Sequence, residues 1–241
     1  MIMPNMLQHN STLSCSPTPT IALCMYGLVR RVQMTQPSLQ RNIHEPLSQT
    51  GGTDVFLHTF VTHQVTDAGG QMSMLADSAS FLGTMCAYTA EDQDSADAII
   101  ASALNVTLIH TLARRPKPLG RQYSRATVFN LLRAAYSLHK VASMAKAQEL
   151  KAGGRYRLVA VVRPDTAVLT ALPQRELQRL LHPDPATANA PPDIIVPNFH
   201  HWGGVNDRLA FGKRHAMIDV HMQRWGWLLG SSPKLRVADL M

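Results

Sequence analysis

The sequence predicts an α/β protein, and three stretches carry that reading. Leu158–Val162 is an unbroken apolar run, rich in β-branched residues and preceded by Gly153 and Gly154, the pattern of a strand kept dry on both faces. Residues 21–60 read as strand, helix, strand, and residues 121–150 carry the strongest helical periodicity in the chain. With 241 residues, 45% of them hydrophobic and 16% charged, the chain can bury a real core and is too apolar to stay disordered.

Taken in order, residues 1–20 are polar and rich in Ser, Pro and Thr, which predicts a flexible N-terminal tail. A single domain over 21–230 and a C-terminal tail over 231–241 follow. Ile21–Tyr26 is a short apolar run closed by Gly27, a first buried strand. Leu39, Ile43 and Leu47 recur every four residues within 35–48, so a helix is expected there, stopped by Gly51 and Gly52. Residues 54–60 make the second strand, parallel to the first. Residues 96–104 predict a short helix and 106–112 a third strand.

In the long helix over 121–150, Leu131, Leu132, Ala135, Leu138, Val141, Ala142 and Ala145 trace one face, with Arg133, Tyr136, Ser137 and Lys140 on the other sides. Tyr136 reads as a packing aromatic. Gln174–Leu181 predicts another helix, 182–192 a proline-broken loop, 193–197 a short strand, and 215–227 a last helix.

The net charge of +7 suits an anionic partner, but the basic residues are scattered and no Lys/Arg block forms a nucleic-acid arm. Cys15, Cys24 and Cys86 are odd in number and make no Cys-x-x-Cys pair, so reduced thiols and no zinc site are expected. No run of 18 or more apolar residues is present to span a bilayer, and the first twenty residues lack a signal-peptide pattern; the expectation is a cytoplasmic protein, unless the chain is a fragment of an anchored one.

Chemistry-bearing residues gather at strand ends. Pro164 lacks the N–H that a ladder needs, so the central strand must stop near it and deliver Arg163 and Asp165 at its carboxyl end, the edge where open α/β sheets bind ligands. The turn after the first strand has one glycine, Gly27, and no Gly-x-Gly-x-x-Gly fingerprint. Arg30 and Arg31 beyond it either hold an anionic group or sit on the surface of the first helical turn. Glu91, Asp92, Asp94 and Asp97 read as a solvated acidic face. Asn206, Asp207 and Arg208, just before an apolar run, either cap a turn or reach into a site.

Five pieces in order carry a resemblance: 21–31, 54–59, 130–140, 159–165 and 203–212. Together they are similar to nucleotide-sugar-dependent glycosyltransferases of GT-A type, like those of bacterial capsule and lipopolysaccharide-core synthesis and their algal and viral relatives. The likeness spans 21–215. It implies an α/β/α sandwich with a mostly parallel central sheet, and transfer of a sugar from a nucleotide-sugar donor to a glycan or other hydroxyl acceptor. Tyr26, Gly27, Arg30, Arg133, Asn206 and Arg208 would meet the donor, Arg163 and Asp207 would be catalytic, and Asp165 would be the ligand for a divalent cation, Mn or Mg. Asp207 would accept the acceptor's proton. His200 and His201 are further candidate partners for Asp165.

The pattern departs from the family at one place. Position 163 is Arg where an Asp-x-Asp metal motif would put its first carboxylate, so a guanidinium stands in for part of the cation's charge. Two other readings stay open. One is a non-catalytic nucleotide-sugar-binding protein, favoured by the single carboxylate and by a chain ending soon after Trp227. The other is an unrelated α/β phosphate-ester hydrolase, which needs a nucleophile or paired carboxylates at a strand end.

Overall fold

Two of the predicted apolar runs, Ile21–Tyr26 (β1) and Leu158–Val162 (β6), lie side by side in the middle of a six-stranded sheet, with every residue of both buried. The computed structural model describes residues 14–16, 18–30, 32–62, 65–66, 72–73, 85–104, 125–182, 193–198 and 208–230. Across the sheet the order is β5 (Ala87–Asp92), β2 (Thr53–Val61), β1, β6, β8 (Leu209–Lys213) and β7 (Ile194–Ile195). Neighbours from β5 to β6 run parallel, whereas β8 is antiparallel to β6 and β7 to β8. Val65–Thr66 (β3) and Met72–Ser73 (β4) form a separate two-stranded ladder.

Side-chain alternation along β1 sorts the core into layers. Ile21, Leu23 and Met25 face Leu39, Ile43 and Leu47, which lie on a helical stretch made of α1 (Val32–Leu39), a π-helical turn (Gln40–His44) and α2 (Glu45–Thr50). Leu177, Leu180 and Leu181 of α5 (Gln174–Leu181) complete that layer; α3 (Gln93–Ala103) and α4 (Arg125–Ala152) precede it in the chain. Ala22, Cys24 and Tyr26 face the other way, against Leu138, Val141, Ala142 and Ala145 of α4 and Met217 and Ile218 of α6 (Arg214–Ile218). A third cluster, with Phe60, Ile100, Leu132, Tyr136, Trp225 and Leu228, joins α3 and α4 to α7 (Arg224–Gly230). The architecture is a three-layer α/β/α sandwich of the doubly wound, Rossmann-like kind.

From β1 the chain crosses to β2 on one side, and later places β6 on the other. The sheet therefore reverses its winding between β1 and β6, and a crevice is expected at their carboxyl ends.

Several expectations need correction. Cys15 and Cys86 are joined by a disulfide, not reduced; only Cys24 is free among the described cysteines, and it is buried. The N-terminal segment is not loose from Ser14 onward. Ser14 N–H bonds the Met85 carbonyl at 3.1 Å, and Ser16 N–H bonds Asp54 Oδ1 at 2.6 Å. Tyr136 and Ser137 lie on the buried side of α4, because a helix packed between the sheet and α7 is covered over more than one stripe. The strand β5 was not expected, since Ala87–Asp92 lacks an apolar run; as an edge strand it is only half-buried. The helix expected over 215–227 is broken into α6, a 3-10 turn (His221–Gln223) and α7. The strand expected over 106–112 and, apart from His182, the loop over 182–192 lie outside the described residues.

No helix among the described residues is long and apolar enough to cross a membrane.

Candidate functional site

A cavity of about 310 Å³ opens where the winding reverses. Tyr26, Gly27, Leu28 and Arg30 come to it from the end of β1, Phe60 from β2, Gln93 from the start of α3, Asn130, Arg133 and Ala134 from α4, and Arg163 from the end of β6. Gly27 turns the chain out of β1 with φ +93, a conformation that L side chains rarely adopt. Its N–H is shared between the His58 carbonyl at 3.1 Å and Ser137 Oγ at 2.9 Å, which fixes the turn against β2 and α4.

Three guanidiniums line this cavity, and each is oriented by an acid. Asp165 Oδ1 accepts from Arg163 Nε at 3.0 Å, while Oδ2 accepts from the terminal nitrogens of Arg163 at 2.8 Å and Arg30 at 2.7 Å. Arg133 donates Nε to Asp97 Oδ1 at 2.7 Å, makes a second ion pair with Oδ2 of the same carboxylate, and reaches Asn130 Oδ1 at 2.8 Å. The Asp165 side chain is 13% exposed and those of Arg30 and Arg163 are each 26% exposed. Burial pushes the Asp165 carboxyl up, but the Arg163 and Arg30 charges and hydrogen bonds outweigh that and hold it below the usual carboxylate range. Asp165 is thus an anion clamped between two cations.

The loop carrying Arg163 and Asp165 is stapled to the helices after β1. Thr35 Oγ1 donates to the Pro164 carbonyl at 2.8 Å, Ser38 Oγ accepts from Val168 N–H at 3.1 Å, and the Asn42 carbonyl accepts from Leu172 N–H at 2.9 Å. Asn42 lies in the π-helical turn, a type of irregularity often found beside functional sites. Arg163 N–H in turn bonds the Arg208 carbonyl at 2.9 Å, which seats the start of β8 beside β6.

Behind Gly27 lies a buried polar network. His58 and Ser137 are both 0% exposed; His58 Nδ1 and Ser137 Oγ are 2.8 Å apart, and His58 Nε2 is 3.6 Å from Glu91 Oε1. Glu91 also accepts from Lys140 at 2.8 Å and from the Tyr136 hydroxyl at 2.9 Å. Burial raises the Glu91 carboxyl, yet His58, Lys140 and Tyr136 overcome it and lower it to about 2. Burial pushes His58 down, only partly offset by Glu91. The order Ser–His–Glu is that of a hydrolytic relay, but Ser137 Oγ is sealed from solvent and accepts the Gly27 N–H, so no substrate reaches it. Glu91 and Asp97 are therefore structural ion-pair partners, not members of a solvated face; Asp92 caps α3 by accepting the Ser95 N–H at 2.8 Å.

The structure brings Tyr26, Gly27, Arg30, Arg133 and Arg163 to one cavity, with Asp165 bonded to two of them. Arg208 is placed next to Arg163 through its backbone but does not line the cavity among the described residues. Arg31, His200, His201, Asn206 and Asp207 lie outside the described residues. Phe60 and Gln93 line the cavity without having been singled out, because nothing in their local sequence separates them from ordinary strand and helix residues, and Asn130, the first residue of the 130–140 piece, joins them with no role expected of it.

Fold and site together define a doubly wound α/β protein with an arginine-lined crevice at the carboxyl edge of its sheet. No protein-family model, curated protein or solved structure matches the chain.

Proposed function

We propose that the protein binds the diphosphate of a nucleotide-sugar donor in this crevice and transfers the sugar to a hydroxyl acceptor. The observation that carries the reading is the convergence of Arg30, Arg133 and Arg163 on one cavity at the winding reversal. Asp97 and Asp165 orient these guanidiniums at the crevice, and planar, charged N–H forks are the groups that pair with the oxygens of a diphosphate. Among the described residues Arg30 bonds Asp165 through one terminal nitrogen, and its remaining N–H groups would serve a ligand oxygen.

The resemblance assigned Asp165 to a divalent cation, and the residues present do not fit that role well. Both its oxygens are held by guanidiniums, and no carboxylate lines the cavity among the described residues. In this proposal Asp165 positions arginines, and the arginines balance the charge that develops on the departing diphosphate. Arg163, at the end of β6, is the residue nearest to that role.

Thermal-shift screening against UDP-, GDP- and CMP-sugars, with and without manganese, followed by a transfer assay, tests the reading. A diphosphate-linked donor that stabilises the protein in chelator, and turns over with a hydroxyl acceptor, supports it. Stabilisation without turnover favours the binding-protein alternative; no response to any donor removes both.

A further inference from the structure

Asp54 is 1% exposed, and its only partners among the described residues are Ser16 N–H, at 2.6 Å to Oδ1, and the Tyr156 hydroxyl, at 2.7 Å to Oδ2. Buried carboxylates are ordinarily matched by a cation, either a side chain or a metal, and no cationic side chain bonds this one. What does lie beside it is sulfur. A carboxylate oxygen of Asp54 and the Sγ atoms of Cys15 and Cys86 all fall within 4.8 Å of one another. In a tetrahedral zinc site the ligand atoms stand about 3–4 Å apart, from bond lengths of about 2.0–2.3 Å. The three groups come from the N-terminal segment, β2 and the approach to β5.

We infer that Cys15, Cys86 and Asp54 form a redox-gated site for a thiophilic divalent cation of the zinc class. In the disulfide form each sulfur is bonded to the other and offers no thiolate, so the site is closed. A dithiol reductant opens it: two electrons and two protons pass to the protein, the S–S bond breaks, and the reductant leaves as its own disulfide. A divalent cation then displaces both thiol protons, forming two metal–sulfur bonds and one to Asp54, and a fourth position remains for water. The hydrogen bonds from Tyr156 and Ser16 act as the supporting shell that fixes the carboxylate.

Access runs past Cys15, which is half-buried, whereas Cys86 is buried. The site stands apart from the arginine crevice. Asp54 pairs with Ala22 near the start of β1, and the crevice opens past Tyr26, roughly 13 Å further along at about 3.3 Å per residue. Bound metal would replace a covalent staple with a coordinate one, so the N-terminal segment stays docked in either redox state.

The test is titration of the full chain, oxidised and reduced under anaerobic conditions, with Zn2+ against a chromophoric chelator and with Co2+ followed by its thiolate charge-transfer absorption. The expected result is one metal per reduced chain and none per oxidised chain. Cys15→Ser should abolish the charge-transfer band, and Asp54→Asn should weaken binding about 10-fold or more. Circular dichroism establishes that each variant is folded, and Cys15→Ser, at a half-buried position, serves if Asp54→Asn is not. The inference is overturned if the reduced chain takes up no more metal than the oxidised one, if Cys15→Ser binds as the parent does, or if folded Asp54→Asn retains full affinity.

Discussion

Replacing Asp165 by Asn removes the anion between Arg30 and Arg163 while keeping shape and one acceptor oxygen. Of the three charge-assisted hydrogen bonds, of 2.7, 2.8 and 3.0 Å, those to the oxygen that becomes an amide nitrogen are lost, and the rest lose the acceptor's negative charge. Breaking a buried pair from one side costs about 3–5 kcal/mol. Each arginine side chain is 26% exposed, so water recovers part of that, and the expected loss is about 2–3 kcal/mol. The sign with pH is fixed. The folded carboxyl lies below its usual range, so its contribution is complete above that range and disappears as the pH falls through it and below. Urea unfolding of parent and variant at neutral pH and near pH 3 should show a difference that is large at the first and shrinks at the second. A difference under about 0.5 kcal/mol at neutral pH, the level of an ordinary surface substitution, would refute the clamp.

Other perturbations follow from the same geometry. A Cβ on Gly212 would stand 2.2 Å from the Asp193 carbonyl oxygen and 2.9 Å from Ile194 Cα, so Gly212→Ala should push β7 off β8 and cost about 1–3 kcal/mol by chemical denaturation. Reducing the disulfide in metal-free buffer opens a closure spanning 71 residues. The chain-entropy cost is about 4 kcal/mol, read as a lower melting temperature that Cys15→Ser reproduces without reductant. With its carboxyl lowered to about 2, Glu91 contributes stability that is lost as the pH falls from the ordinary carboxylate range towards that value. In Glu91→Gln that part of the acid limb should be absent from a stability–pH profile.

Much of the frame was legible because burial on both faces writes itself into a sequence as a continuous apolar run. Ile21–Tyr26 and Leu158–Val162 are such runs, and they became the paired central strands. Gln174–Leu181 was equally plain, since its leucines recur on one side of an otherwise polar helix. Ala87–Asp92 was not, because an edge strand needs no apolar run to pair with β2. Pro164 marked where the central strand ends, and so placed Arg163 and Asp165 at the crevice. The bond from Arg30 to Asp165, 135 residues away in sequence, is a tertiary fact that no local pattern encodes. The Cys15–Cys86 pairing was hidden for the same reason: an odd cysteine count with no short spacing gives no hint of partners 71 residues apart. Ser137 and His58 looked like ordinary helix and strand residues, and only the packing of α4 over Gly27 turns them into a buried support for the turn.

We propose that guanidiniums held by Asp165 and Asp97 receive a diphosphate without help from a metal ion. Isothermal titration of the free nucleoside diphosphate into the protein in chelator, with the parent and with Arg30→Ala, tests it most directly. Binding in chelator that weakens about 10-fold or more in the variant, the loss of one charge-assisted hydrogen bond, is the predicted result. No binding in chelator, or equal affinity in the two proteins, would contradict it.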